Sequence, residues 1–195
     1  MRKLVLSIVV SVDGYITGPG GEFIPPDWSS DLDRWTDDMT GRFDTLIYGR
    51  TAWEKMTEFW PAAEHDATLP DPQRRLARFM NGSRKILFSR TRTDVSGWAN
   101  TTLADGPVAE VMAREKASEG CDMVIFAGAG IAQTALAAGV VDELSLLTVP
   151  ELFGHGTRLF SGHALRAKMT TLEVRPMDTG AVLTRYAIGA PPTAA

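Results

Sequence analysis

The segment Leu46-Ile47-Tyr48-Gly49-Arg50-Thr51-Ala52-Trp53-Glu54 carries the strongest signal for the fold class. A short apolar run ends there at a glycine, and a helical pattern starts directly after it. We predict a strand over Thr45–Tyr48 and a helix over Thr51–Phe59. Backbone N–H groups at a helix start suit a phosphate, and Arg50 and Thr51 add a guanidinium fork and a hydroxyl. The same residues also fit a plain turn, in which Thr51 caps the helix and Arg50 is a solvated surface charge.

A second strand–turn–helix pattern follows at Val124-Ile125-Phe126-Ala127-Gly128-Ala129-Gly130-Ile131-Ala132. It predicts a buried strand over Met123–Phe126 and a helix of small residues over Ile131–Ala138. The turn Gly128-Ala129-Gly130-Ile131 then forms a phosphate cradle at the start of that helix. The pattern differs from the six-residue dinucleotide fingerprint, because Gln133 stands where a third glycine would be.

A further strand, predicted over Lys85–Phe88, ends in Ser89 and Arg90. Arginine binds phosphate through paired hydrogen bonds, so these residues suit the 2′-phosphate of a dinucleotide. A polar turn after a strand is the alternative for this segment. Because each of these strand ends can contact phosphate, their combination indicates one extended dinucleotide ligand more strongly than any single motif does.

The rest of the chain alternates short apolar runs with helical patterns. In chain order, these strands and helices are predicted over Leu4–Val10, Ser29–Thr40, Asp71–Met80, Pro107–Ser118 and Leu144–Val149. The strands Leu172–Met177 and Ala181–Ile188 flank a turn and predict a terminal hairpin. The whole pattern predicts an α/β fold with a mostly parallel central sheet, helices on both faces and a C-terminal antiparallel hairpin. Ligands of such sheets bind at the carboxyl ends of the strands.

The composition excludes several function classes. A net charge of -4 argues against nucleic acid as a partner, and no segment approaches the roughly 20 apolar residues of a membrane span. The single cysteine, Cys121, rules out an internal disulfide and is expected in the core. The histidines lack ligand spacing, so no metal site is expected. We expect a cytoplasmic enzyme with a small-molecule substrate, with one domain over residues 1–190 and a disordered tail over 191–195.

The order of these motifs resembles the dihydrofolate reductase-like superfamily, on the segments Tyr48–Glu54, Lys85–Arg90 and Ala127–Gly130. The opening Ser11-Val12-Asp13-Gly14-Tyr15-Ile16 and the later Phe153-Gly154-His155-Gly156-Thr157-Arg158-Leu159-Phe160 are most similar to the reductase (C-terminal) domain of bifunctional riboflavin-biosynthesis deaminase-reductases. The His and Cys set that binds zinc in the deaminase half is not found in this sequence.

The resemblance implies an NADPH-dependent reductase that transfers a hydride to a small heterocyclic or carbonyl substrate, similar to 5-amino-6-(5-phosphoribosylamino)uracil reductase. It implies that the NADPH phosphates bind at Gly49, Arg50 and Thr51. It also implies that the 2′-phosphate binds at Ser89 and Arg90. Reductase domains of this branch commonly pair, so a homodimer is expected.

The resemblance places the remaining cofactor-binding residues as well. The turn Gly128-Ala129-Gly130-Ile131 is expected at the pyrophosphate and the nicotinamide. Asp13 and Gly14, directly after the first strand, are expected beside the nicotinamide and the substrate. If the substrate carries a phosphate, a second basic site is needed, and Arg158 and Lys168 are the candidates.

Two other functions stay open at this point. One is reduction of dihydrofolate or a pterin: the resemblance to dihydrofolate reductases implies an acid in the first helix for this reaction, and Asp31 is the candidate because it shares a helix face with Trp35. Asp31 equally suits a first helical turn, where an acid stabilises the helix dipole. The other alternative is a non-catalytic NADP-binding dimer, because a fold does not by itself imply chemistry.

Overall fold

The computed structural model describes residues 1–161 and 166–189, and the predicted tail at 191–195 lies outside them. Strands and helices alternate along most of the described chain. Their order is β1 (Leu4–Ser11), α1 (Ser30–Arg42), β2 (Phe43–Gly49), α2 (Arg50–Ala63), α3 (Asp71–Gly82), β3 (Arg84–Phe88), β4 (Thr101–Leu103), α4 (Val108–Ala117), β5 (Asp122–Ile125), α5 (Ala129–Ala137), β6 (Glu143–Val149), β7 (Met169–Pro176) and β8 (Val182–Ile188).

The strands form one eight-stranded sheet with the order β4-β3-β2-β5-β1-β6-β8-β7. β1 pairs in parallel with β5 on one side and with β6 on the other. The strands β2, β3 and β4 continue the parallel part, whereas β8 runs antiparallel to both β6 and β7. The predicted fold class, a mostly parallel sheet that closes with an antiparallel hairpin, is confirmed.

Side chains of β1 alternate between the two faces of the sheet, and helices cover both faces. Leu4, Leu6 and Ile8 pack with residues of α4 and α5 in one core cluster. Val5 packs with residues of α1, α2 and α3 in the other cluster. Since these side chains are at most 4% exposed, both faces of the strand are buried, and its apolar residues do not alternate with polar ones, although Ser7 and Ser11 interrupt them.

The sequence patterns missed one strand and misplaced some details. β4 has three residues, none of them buried, so no apolar run marks it, although it pairs with β3. The helix predicted to end at Phe59 continues to Ala63, with Pro61 near its end. The prediction that Cys121 lies in the core is wrong: the residue is exposed, because the buried strand begins only after it, at Asp122.

Lys85 in β3 is a fully buried cation. Its Nζ donates hydrogen bonds to the backbone carbonyls of Asn81, Ser83 and Ala99, at 3.1, 2.8 and 3.0 Å. The same Nζ lies 4.6 Å from the centre of the Trp98 ring. Burial lowers the pKa of Lys85 to about 8. These contacts attach the end of α3 and the segment before β4 to the edge of the parallel sheet.

Glu143 at the start of β6 joins α1 to the C-terminal hairpin. Its carboxylate accepts two hydrogen bonds of 2.8 Å from Arg42 and two more from Arg185, at 2.9 and 2.7 Å. Burial acts to raise the pKa of Glu143, but the hydrogen bonds from Arg42 and Arg185 outweigh it and hold the pKa below its ordinary value. The charged form of this side chain therefore stabilises the folded state.

We expect Glu143→Gln to lower the free energy of unfolding at neutral pH by about 3 kcal/mol, because two guanidinium groups lose their buried counter-charge. A depressed folded-state pKa gives stability that is present above the ordinary pKa of 4.5 and is lost as the pH falls through the folded-state value. The difference between variant and wild type should therefore shrink at about pH 3. Urea unfolding at both pH values measures it.

Glu119→Gln is the matched control, since Glu119 is exposed and its replacement should change stability by less than about 0.5 kcal/mol. A loss at Glu143→Gln that is equally large at both pH values, or no larger than the loss in the control, would contradict this account.

Candidate functional site

The strands β2 and β5 lie side by side, and the helices that follow them leave toward opposite faces of the sheet. Ala52 and Trp53 of α2 belong to one core cluster, and Ile131 and Ala132 of α5 belong to the other. From β2 the chain moves outward to β3, whereas from β5 it crosses β1 to reach β6. Such a point of divergence opens a crevice at the carboxyl ends of the strands, where ligands of α/β sheets bind.

The two turns at this crevice touch each other through glycines. A Cβ added at Gly128 would lie 2.9 Å from the Ala52 Cβ, and the φ of Gly128 is +97°. A Cβ added at Gly49 would lie 3.3 Å from the Ile131 Cβ. Because neither turn carries a side chain at its closest point, the starts of α2 and α5 converge.

These helix starts present backbone N–H groups that no side chain caps. Gly49 is the N-cap of α2 and Gly128 is the N-cap of α5, and neither helix has a side-chain capping bond. By contrast, the Ser29 hydroxyl accepts a hydrogen bond of 3.2 Å from the N–H of Leu32 in α1. Thr51 therefore does not cap α2, and that part of the plain-turn alternative is wrong, whereas Arg50 is exposed as the same alternative expects. Two uncapped helix starts side by side form a favourable place for an anionic group.

Beside the start of α2 lies a groove of about 330 Å³. Arg50, Glu54 and Arg92 form ion pairs in it: Nη1 of each arginine lies 3.0 Å from a carboxylate oxygen of Glu54. The Arg92 guanidinium stacks 4.8 Å from the centre of the Trp53 ring. The remaining lining residues are Thr91, Thr93 and Asp94. The sequence interpretation missed Arg92, and a basic side chain one turn beyond a strand end was the only available signal.

The predicted phosphate-binding pair, Ser89 and Arg90, lies where β3 ends. The Ser89 hydroxyl accepts hydrogen bonds from the backbone N–H groups of Thr91, at 3.3 Å, and Arg92, at 2.9 Å. Ser89 thus shapes the turn that brings Arg92 into the groove. Arg90 is exposed and is not among the residues that line the groove.

Asp13 ties the loop after β1 to the loop after β6. Its carboxylate accepts hydrogen bonds from the Ser11 hydroxyl at 2.6 Å and from the N–H groups of Phe153 and Gly154, at 3.1 and 2.8 Å. The Ser11 hydrogen bond, with those of the two N–H groups, holds the pKa of Asp13 below its ordinary value. Gly14, with a φ of +86°, continues the turn. Asp13 and Gly14 therefore lie at the carboxyl edge of β1, as predicted, with the Asp13 carboxylate bound to protein groups.

The candidates for a second basic site lie at opposite ends of the sheet. Arg158 lies at the carboxyl edge, where its guanidinium stacks 4.4 Å from the Tyr15 ring and donates to the carbonyl of Asp13 at 3.2 Å. Lys168 precedes β7, and β7 runs in the same direction as β1, so Lys168 lies at the amino edge. Only Arg158 of the two is near the crevice edge.

Asp31 at the start of α1 lies beside the turn of the C-terminal hairpin. One carboxylate oxygen accepts a hydrogen bond of 2.9 Å from the N–H of Asp178, and the other pairs with Arg34 at 3.1 Å. Its neighbour Asp33 has a buried carboxylate oxygen that lacks a hydrogen-bond partner within residues 1–161 and 166–189. In this structure, Asp31 holds the hairpin turn against the helix.

Comparison with known proteins gives the family. The family model described as the RibD C-terminal domain matches residues 2–183. The chain belongs to the RibD C-terminal domain family. The predicted kinship with the reductase domain of riboflavin-biosynthesis enzymes is thereby confirmed, and the chain is an oxidoreductase of the kind that uses a pyridine nucleotide.

Individual proteins resemble this chain in sequence or in fold over nearly its whole length. The uncharacterized protein YyaP of Bacillus subtilis (strain 168) is 28% identical over 95% of this chain and 94% of its own length. A Shewanella sp. PV-4 protein with a riboflavin-biosynthesis name has a TM-score of 0.75 at 21% identity, covering 97% of this chain and 99% of that one. A pyrimidine reductase-like protein of Corynebacterium diphtheriae NCTC has a TM-score of 0.66 at 14% identity, with 96% and 92% covered.

One protein with a similar fold is longer, and this chain matches only part of it. The Thermotoga maritima diaminohydroxyphosphoribosylaminopyrimidine deaminase/5-amino-6-(5-phosphoribosylamino)uracil reductase has a TM-score of 0.65 at 14% identity. The match covers 96% of this chain but 57% of that protein.

Among the described residues, no helix combines the length and apolar character needed to cross a membrane. Within the same ranges, no three His, Cys, Asp or Glu side chains come together as a metal site.

The close approach of the two turns predicts opposite effects for two neighbouring glycines. Gly128→Ala should lower the free energy of unfolding by about 2 kcal/mol, because the residue has a positive φ and its new methyl group meets Ala52. Gly130→Ala lies in α5, where no atom of the described residues beyond its own helical turn is within 4 Å of the added Cβ, and should raise stability by about 0.5 kcal/mol. Urea unfolding compares the two, and equal effects would show that the turns are not packed as described.

Proposed function

We propose that the chain is an NADPH-dependent reductase that transfers a hydride to a small heterocyclic substrate of the ribosylamino-pyrimidine class. The observation that carries the proposal is the convergence of two uncapped helix starts, those of α2 and α5, beside a groove with two arginines. A dinucleotide carries a pyrophosphate in its middle, and NADPH carries a further phosphate at one end, so this cofactor has an anionic group for the helix starts and another for the groove.

The residues at the crevice fit such a cofactor. N–H groups at the start of α2, after Gly49, and at the turn Gly128-Ala129-Gly130-Ile131 would hold the pyrophosphate. Glycine at both N-caps lets the ligand approach the backbone closely. The Arg50 guanidinium and the Thr51 hydroxyl would donate to phosphate oxygens. NADPH, when bound, supplies the hydride, while the chain binds and orients it.

The adenosine 2′-phosphate is assigned to the groove next to α2. Arg92 joins the residues predicted from the sequence, because its guanidinium lines the groove and is held there by Trp53. Ser89 would act by shaping the turn and by offering its hydroxyl. Arg90 is exposed at the same turn, so it would add positive charge at the mouth of the groove.

The substrate would lie at the carboxyl edge of β1 and β6, beside Asp13 and Gly14. The contacts of Asp13 with the loop after β6 give this side of the crevice a defined wall. Arg158 at the same edge would meet a substrate phosphate. Names given to the structural relatives, which refer to riboflavin biosynthesis and pyrimidine reduction, support this class of substrate.

The contacts of Asp31 favour a pyrimidine over a pterin as substrate. Both carboxylate oxygens are bound, one by the Asp178 N–H and the other by Arg34. The proposal therefore gives Asp31 a structural role at the hairpin and includes no helix acid as proton donor.

We further propose that the protein is a single domain over residues 1–190 and a cytoplasmic homodimer. The exposed apolar residues Leu172 and Val174 of edge strand β7 support pairing.

Arg50→Ala should weaken NADPH binding about tenfold, because a charge-assisted hydrogen bond to phosphate is lost. Arg78→Ala is the matched control, since Arg78 is an exposed arginine on α3 with no ion pair among the described residues. Thermal unfolding at increasing NADPH concentration measures both, because a ligand that binds only the folded state raises the melting temperature. Undiminished binding by Arg50→Ala would contradict the phosphate assignment.

The substrate class is tested by NADPH oxidation with pyrimidine ribosylamines, pterins and dihydrofolate as acceptors. We expect turnover with the phosphorylated ribosylamino-pyrimidine and none with dihydrofolate. Turnover with pterins instead would contradict the assignment of Asp31 to a structural role. A protein whose melting temperature rises with NADPH but that reduces no acceptor would support a non-catalytic binding protein and contradict the reductase.

A further inference from the structure

We propose that Glu54 lowers the preference of this protein for NADPH over NADH, because its carboxylate occupies the two arginines that a 2′-phosphate needs. The inference rests on the proposed function, since it concerns the same cofactor groove. It goes further by giving a negative residue of α2 control over which of the two cofactors binds better.

Glu54 uses both of its carboxylate oxygens in the groove. Oε2 accepts a hydrogen bond of 3.0 Å from Nη1 of Arg50, and Oε1 accepts one of 3.0 Å from Nη1 of Arg92. Glu54 therefore stands between two guanidinium groups, one from the start of its own helix α2 and one from the loop after β3. A phosphate that enters the groove competes with this carboxylate for the same donors.

Contacts other than the ion pair with Glu54 also hold the Arg92 side chain in the groove. Its guanidinium stacks on the Trp53 ring at 4.8 Å, and its Nε donates to the backbone carbonyl of Asp94 at 2.8 Å. Arg50 is more exposed, with half of its side-chain surface in solvent. Arg92 is thus held at one side of the groove, and the Glu54 carboxylate pairs with its positive charge.

The charges that line the groove sum to zero. Its charged residues are Arg50, Arg92, Glu54 and Asp94, and the other lining residues are threonines. A hydrogen bond from the Ser96 N–H holds the pKa of Asp94 below its ordinary value, so this carboxylate is charged at neutral pH. Among the lining residues, a doubly charged 2′-phosphate therefore meets no excess of positive charge although two arginines are present, and the exposed Arg90 lies outside this lining.

The unphosphorylated cofactor meets a different situation. A ribose 2′-hydroxyl can donate a hydrogen bond to a carboxylate, which is how acidic residues recognise NADH in other dinucleotide sites. Arginines at the same position accept the 2′-phosphate instead. Glu54 thus places a partner for the hydroxyl among the partners for the phosphate. Removal of its charge should tighten binding of the phosphorylated cofactor selectively.

The test compares Glu54→Gln with wild type by calorimetric titration of the full chain with adenosine 2′,5′-bisphosphate and with AMP. The two probes differ only in the 2′-phosphate. We expect the variant to bind the bisphosphate about tenfold more tightly, because a negative charge at close range is removed in a partly solvated groove. Binding of AMP should change less than about twofold. NADPH and NADH should follow the same order.

Two control variants separate the position of the charge from its number. Glu58→Gln removes a charge from an exposed residue of the same helix and should leave both affinities within about twofold of wild type, because screening weakens exposed charges at a distance. Glu54→Asp keeps the charge and should retain the wild-type ratio of the two affinities. The gain in Glu54→Gln should also shrink as the salt concentration rises.

Each outcome bears on the inference. If Glu54→Gln binds the bisphosphate no more tightly than wild type, or if Glu58→Gln gives the same gain, Glu54 does not compete with the phosphate and the inference falls. In that case NADPH binding by wild type leaves the proposed function intact. If neither wild type nor any variant binds the bisphosphate or NADPH, the proposed function falls, and the inference falls with it.

Discussion

The candidate site depends on the close approach of two glycine turns at the centre of the sheet. Gly128 lies so near Ala52 that an added Cβ would be 2.9 Å from the Ala52 Cβ, and Gly49 lies against Ile131. The strand order explains this contact, because β5 is inserted beside β2 although the two are far apart in the chain. Their helices then leave toward opposite faces, and the N–H groups of both helix starts point into one crevice.

Two of the acidic side chains considered for the site accept hydrogen bonds from backbone groups of the protein and so have structural roles. Asp13 binds two N–H groups of the loop after β6, and Asp31 binds the hairpin turn at Asp178. The sequence suggested Asp13 as a residue beside the nicotinamide and Asp31 as a candidate acid. In the structure, the carboxylate oxygens of both already accept hydrogen bonds from other groups of the protein. The positive groups of the site are the two helix starts and Arg50 and Arg92, which share Glu54 as their ion-pair partner.

The elements that a local pattern marks were predictable from the sequence. β1 is buried on both faces and is mostly apolar, and α1 begins after the capping residue Ser29. Elements without a local signal were not predictable. β4 consists of three residues that are not buried, and its position depends on pairing with β3. Cys121 is uncharged and precedes an apolar run, so no local feature of the sequence indicates that its side chain is exposed.

The α/β class, the strand ends that can bind phosphate and the kinship with reductase domains could be read from the sequence, because apolar periodicity and glycine turns are local over a few residues. The folded structure was needed to show that Arg92 lines the groove while Arg90 does not, and that Glu54 pairs with Arg92 as well as with Arg50. It also decided that Lys85 is buried against Trp98. The contacts of Arg92 with Glu54 and of Lys85 with Trp98 join separate segments of the chain, so their geometry follows from the packing of whole helices and strands, whereas the pair of Arg50 and Glu54 lies within one helix.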